Sequence, residues 1–147
     1  MNARKILNEK NEQIKYIRPD MMVSEALDKL RSDNSEAQIV SYSGYSVLGV
    51  ACDEDIRLAV AQMGSKLLKV NVRQLMHPII TTGFESDDVY SMIDKMEVHK
   101  TQYLPIITKR GHYRGIISYS DLAQYLNPSI YLKFPVVSQN YSESLSD

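Results

Sequence analysis

The chain has 147 residues, 44% of them hydrophobic and 24% charged, with a formal net charge of -1. That length suits one compact globule, or two very small domains sharing a core. The near-neutral charge offers no global basic field for nucleic acid and no polybasic membrane anchor.

The one cysteine, Cys52, cannot build a disulfide framework or a thiolate metal site within one chain. No apolar run approaches the roughly 18 residues that span a bilayer. The polar N-terminus lacks the apolar stretch of a secretory signal, so a cytoplasmic protein is expected.

In chain order, the segment around Leu7 is expected to cover a sheet edge. Ile14 to Ile17 reads as a short strand and Val23 to Leu30 as a helix. Ala37 to Tyr42 and Tyr45 to Ala51 read as two strands, followed by a helix through Met63. Residues 64–74 then make a connection. The β-branched run Pro78 to Thr82, bounded by Pro78 and Gly83, predicts another strand. Ser86 is expected to cap a helix through Met96, with Val89, Met92, Ile93 and Met96 on one buried face. Tyr103 to Ile107 and Tyr113 to Ile117 form a hairpin about a turn at Lys109-Arg110-Gly111. Ser118 starts a short helix that Asn127-Pro128 ends. Beyond it, residues 128–147 read as a tail, partly disordered, with a Tyr131-Leu132-Lys133-Phe134 patch suited to docking.

An internal repeat organises these elements. Gly49 and Gly115 stand 66 residues apart, as do Asp55 and Asp121, Val23 and Val89, Lys29 and Lys95, and Ile14 and Ile80. One register holds without a gap from about residue 14 to about 60. It divides the chain into a first repeat at 1–66 and a second at 67–127. A three-stranded sheet with two helices buries only one sheet face, and a unit of about 60 residues is marginal alone. The expected fold is therefore α/β (α+β): two β-α-β-β-α repeats packed sheet to sheet with pseudo-twofold symmetry.

Several markers stand in order in the second repeat: Leu75-Met76-x-Pro78, Met96, Leu104-Pro105 and Gly115-Ile116-Ile117-Ser118-x-x-Asp121. With the duplication, they make the chain resemble the cystathionine-β-synthase (CBS) domain, present in tandem as a Bateman module, over about residues 4–127. The resemblance implies clefts between the repeats and frequent dimerisation. It also implies binding of an adenosine-containing ligand such as AMP, ADP, ATP, NAD or S-adenosylmethionine. Many members regulate an enzyme or transporter, so a homodimer and a regulated partner protein are expected. No obligatory cofactor is expected.

The residues suit such a ligand at the second repeat. Asp121, in a first helical turn beside Ser118, accepts hydrogen bonds only and fits the adjacent hydroxyls of a ribose. Ser118 would contribute on the phosphate side, and Ile80 and Ile106 could sandwich an adenine. Thr82, Tyr103 and Pro105 complete the candidate set. A Ser N-cap with an acidic first-turn residue explains Ser118 and Asp121 equally well, and the two roles can coexist. Asp55 has Cys52 in place of the serine, so Asp55 and Cys52 form a weaker second site. In the first repeat Gln38-Ile39 replaces the Leu-Pro pair. In the second, Gln102-Tyr103 stand where phosphate-binding members often carry His-Arg.

His77, His99 and His112 lack metal-ligand spacing, Cys52 has no histidine partner at its own repeat position, and no P-loop occurs. The chain is therefore expected not to be an enzyme and to hold no metal. A ligand-free dimerisation or protein-docking module is the alternative reading. Nucleic-acid binding by the basic hairpin is the weakest of the three.

Overall fold

The computed structural model describes residues 1–126, and no helix among them is long and apolar enough to cross a membrane. The chain opens with a helix not placed by periodicity, α1 (Ala3–Lys10). It is capped by Asn2, whose side chain accepts from the Lys5 amide, and ended by Asn11 in the left-handed region. The first repeat then runs β1 (Tyr16–Ile17), α2 (Val23–Ser32), β2 (Ala37–Val40), β3 (Gly49–Cys52) and α3 (Asp53–Met63). Gly64, at φ 101, stops α3, and two 3-10 turns, Ser65–Lys69 and Val72–Gln74, carry the connection. The second repeat follows as β4 (His77–Pro78), β5 (Gly83–Phe84), α4 (Val89–Val98), β6 (Tyr103–Ile107), β7 (Tyr113–Ser118) and α5 (Tyr119–Ala123). The expectations for the tail and its docking patch lie outside the described residues.

Two sheets result, one in the order β1-β2-β3-β4 and one in the order β5-β6-β7. In each, a short first strand runs parallel to the next and the hairpin is antiparallel. The expected strand at Pro78–Thr82 is not formed. Its ends split instead: His77–Pro78 pairs back onto β3 of the first sheet, and Gly83–Phe84 starts the second sheet. The intervening β-branched residues bridge the two sheets, and that crossing outweighs their strand preference. The helix expected to be capped by Ser86 begins later, at Asp88, whose carboxylate accepts from the Ser91 amide at 2.8 Å.

Each repeat has its own helix–sheet core, and each core is completed by a segment from elsewhere. Ile17, Val23, Ala26, Leu30, Val40, Ala51 and Ile56 pack with Val72 from the connection. Met92, Ile93, Met96, Leu104, Ile106, Ile117 and Leu122 pack with Ala3 and Ile6 of α1. The two open sheet faces meet through Ala37, Val50 and Cys52 on one side and Ile79, Tyr103 and Ile116 on the other. This is the sheet-to-sheet packing that the duplication demands.

Candidate functional site

The exit of each hairpin into its second helix repeats the same geometry, β3 into α3 and β7 into α5. At the second exit Ser118 forms a complete capping box: its Oγ accepts from the Asp121 amide at 3.0 Å, and its amide donates to Asp121 Oδ2 at 2.9 Å. Lys10, at the end of α1, brings its ammonium to the same Oδ2 at 2.7 Å and donates to the Ile116 carbonyl at 3.2 Å. The structural reading of Ser118-x-x-Asp121 is thus realised in full. The other carboxylate oxygen, Oδ1, carries no hydrogen bond among the described residues.

This exit opens onto a cleft of about 510 Å³ whose far wall comes from the first repeat, including Ile14, Ala37 and Gln38. Gln38 is buried but satisfied: its Nε2 donates to Asp33 Oδ2 at 2.8 Å and its Oε1 accepts from Lys29 Nζ at 3.1 Å. The Lys29 and Gln38 bonds together hold the Asp33 carboxyl below its ordinary value.

At the first exit Cys52 caps nothing with its side chain, and burial pushes its thiol up. Asp55 instead pairs across to His77 Nε2 at 2.8 Å, with both side chains more than half exposed. The adjoining cleft, about 370 Å³, has an apolar wall from the second repeat: Ile79, Ile80, Pro105 and Tyr103. A third hollow of about 420 Å³ shares Glu36 and Ser118 with the larger cleft and Cys52 with the smaller one. Tyr103 lines all three, its hydroxyl 3.4 Å from Glu36 Oε2 and its phenol pushed up chiefly by burial.

The expected site residues are therefore dealt to different places. Ser118, Asp121 and Tyr103 share the larger cleft, while Ile80, Pro105 and Tyr103 share the smaller one with Asp55 and Cys52. Ile106 is fully buried in the second core, packed over Gly83, and cannot face an adenine. Thr82 lies in neither cleft; its carbonyl accepts from Lys95 at 3.2 Å.

The physical reason is the twofold packing, which sets the helix start of one repeat against the first-strand segment of the other. Ile14, the residue 66 before Ile80, is the apolar group beside Asp121, and the repeat offset already pointed to it. Lys10 and Tyr113 also line that cleft and had no sequence signal, because each arrives through tertiary packing. Among the described residues no group of three or more His, Cys, Asp or Glu side chains could hold a metal ion.

Residues 72–128 match the family model of the CBS domain. An uncharacterized 17.7 kDa protein of Acidianus ambivalens is 25% identical over 124 residues, covering 84% of this chain and 74% of that protein. The CBS domain protein of Pyrobaculum aerophilum, solved with AMP, superposes with a TM-score of 0.74 at 18% identity, over 92% of this chain and 99% of that one. A CBS domain pair solved with 5′-methylthioadenosine and S-adenosyl-L-methionine gives a TM-score of 0.72 at 18% identity, over 85% of this chain and 94% of that one.

Proposed function

We propose that this chain, which carries a CBS domain at residues 72–128 and folds as a tandem CBS pair, is a regulatory module. It senses an adenosine-containing ligand (AMP, ADP, ATP, NAD or S-adenosylmethionine) and signals to a partner protein. One observation carries the reading. Each cleft sets a first-turn carboxylate of one repeat against an apolar wall of the other, so a ligand filling it must touch both repeats. The AMP and S-adenosyl-L-methionine bound by two proteins of this fold support the choice of ligand class.

The larger cleft is the working site in this reading. The ribose hydroxyls donate to Asp121 through Oδ1, and the base lies between Ile14 and Ile116. Ligand binding then acts on the relative packing of the repeats, and it shifts that packing only to the extent that its affinity differs between two arrangements. The module works as a homodimer, for which Leu58 and Met63, exposed on α3, supply apolar surface. The second reading, a ligand-free docking module, draws on the Lys10–Asp121 pair, which already neutralises the carboxylate through Oδ2.

A thermal-shift panel of adenine nucleotides, NAD(H) and S-adenosylmethionine separates the two, because a ligand bound by the native state raises apparent stability. A rise with one class, followed by calorimetry, supports the sensor. A flat panel at millimolar ligand rejects it in favour of docking.

A further inference from the structure

Tyr113 begins β7, at the opposite end of the strand from Ser118. It is only 5% exposed, yet it lines the larger cleft. Its amide donates to the Tyr45 carbonyl at 2.8 Å, but its hydroxyl has no hydrogen-bond partner among the described residues. Buried hydroxyls are ordinarily paired, and one left alone costs free energy comparable to a lost hydrogen bond. A hydroxyl that borders a cavity and lacks a partner is a group waiting for one.

We infer that the Tyr113 hydroxyl is a recognition group of the larger cleft, donating to an uncharged acceptor on the ligand's base. This rests on the adenosine reading and adds to it a residue at the end of the cleft away from Asp121. Ser118 lies five positions beyond Tyr113 on β7, roughly 16 Å at about 3.3 Å per residue. A ligand with its ribose at Asp121 thus extends along the strand before it meets the phenol.

The surroundings choose which part of the ligand arrives. The Glu12 carboxylate is the charge that bears on the phenol, and the neighbouring Arg114 turns its guanidinium to Glu85 at 3.4 Å. The cleft's Lys10 is already shared between Glu12 at 3.9 Å and Asp121 at 2.7 Å, so a phosphate there would be buried beside a like charge, which is costly. An uncharged ring nitrogen of a purine meets no such penalty and satisfies the hydroxyl.

The test is calorimetry on the full chain with AMP, for wild type, Asp121→Ala and Tyr113→Phe, each also melted without ligand. Tyr113→Phe should weaken AMP binding about three- to tenfold, as a neutral hydrogen bond does. Its ligand-free Tm should stay level or rise, since an unpaired hydroxyl is removed. A second arm uses 1-deaza-, 3-deaza- and 7-deaza-AMP. One of them should lose as much affinity for wild type as Tyr113→Phe loses for AMP, and should bind Tyr113→Phe no more weakly than AMP does. Unchanged AMP affinity in Tyr113→Phe, with a lowered Tm, makes the hydroxyl structural and overturns the inference alone. Equal deaza losses in both proteins overturn the assignment to the base. No AMP heat with wild type overturns the inference and the larger cleft as an AMP site together.

Discussion

Asp55 and Asp121 occupy equivalent positions, 66 residues apart, on the first turns of α3 and α5, yet they are held in opposite ways. Asp121 is locked by its own capping box and by Lys10, with both partners of the ion pair 22% exposed. Asp55 has no cap to complete, because Cys52 precedes it, and its carboxylate leans out to His77 with 52% of the side chain exposed. The apolar walls are distributed the other way: Ile79, Ile80, Pro105 and Tyr103 line the Asp55 cleft, and Ile14 and Ile116 the Asp121 cleft. Duplication supplies two copies of a scaffold, and what later packs on each copy decides what its carboxylate can still do.

The strongest way to break the comparison is through the segments that finish the two cores. Ile6 of α1 is buried in the second core, and Val72 of the connection in the first. Ile6→Ala should cost about 2–5 kcal/mol, through lost transfer energy and the cavity left behind. Val72→Ala removes less apolar volume and should cost less. Thermal melts of both variants check the order. A negligible loss from Ile6→Ala would mean that α1 does not complete the core.

Next in size is the ligand-site contrast. A hydrogen bond to a charged group contributes about 1.5–3 kcal/mol, so Asp121→Ala should weaken an adenosine ligand roughly ten- to a hundredfold. Asp55→Ala should cost less, since Asp55 has the weakly bonding Cys52 beside it rather than a serine. Calorimetry on the two variants, each first shown folded by its melt, decides. A larger loss from Asp55→Ala would move the working site to the smaller cleft with its more extensive apolar wall.

Much of this arrangement was legible in the residues. The repeat offset placed α2, α4 and both hairpins, and Ser118 read as a helix cap is one. What stayed hidden depends on contacts between distant segments. Nothing local shows that Pro78 pairs back to Gly49 on β3, or that Lys10 reaches Asp121 across more than a hundred residues. The candidate residues were grouped within one repeat, whereas the twofold packing builds each cleft from both. Ile106 shows the limit most plainly: its apolar side chain suits an adenine contact and a core equally, and only the packing of α1 and α4 on that sheet face decides.

The two equivalent glycines sharpen the contrast at a smaller scale. A Cβ on Gly49 would lie 2.6 Å from the His77 carbonyl oxygen, which is held in the β3–β4 pairing. A Cβ on Gly115 would meet the Leu7 side chain at 2.7 Å, which can turn aside, but Gly115 stands at φ 157, where any Cβ strains the backbone. Gly49→Ala should therefore cost about 1–3 kcal/mol through overpacking, and Gly115→Ala a similar amount, about 1–3 kcal/mol, through backbone strain. Thermal melts check both, and an unchanged Tm in Gly115→Ala would mean that its backbone accepts a Cβ without strain.

The smallest expected effect separates the two repeats by pH. Lys29 and Lys95 are equivalent, but Lys29 bonds Asp33 and Gln38 whereas Lys95 bonds Asp87 and the Thr82 carbonyl. Position 99, the counterpart of Asp33, is a histidine whose Nδ1 meets the Lys95 carbonyl. Only the first repeat therefore carries this Lys–Asp–Gln triad, in which the Lys29 bond and then the Gln38 bond lower the Asp33 carboxyl from its ordinary 3.8. A carboxyl lowered in the folded state contributes stability that is complete above its unfolded value and is lost as pH falls through the folded one. Gln38→Leu installs the residue that the second repeat has at the same place, Leu104, and removes one of the two hydrogen bonds. Near pH 7 its Tm should fall modestly, because Asp33 and Lys29 each lose one hydrogen-bond partner and keep the bond between them. Below about pH 4 the variant should lose Tm less steeply than wild type, since its Asp33 has less of a depressed value to give up. Parallel Tm–pH slopes for the two proteins would mean that Lys29 alone sets the Asp33 carboxyl, and that the buried amide serves only to satisfy its neighbours.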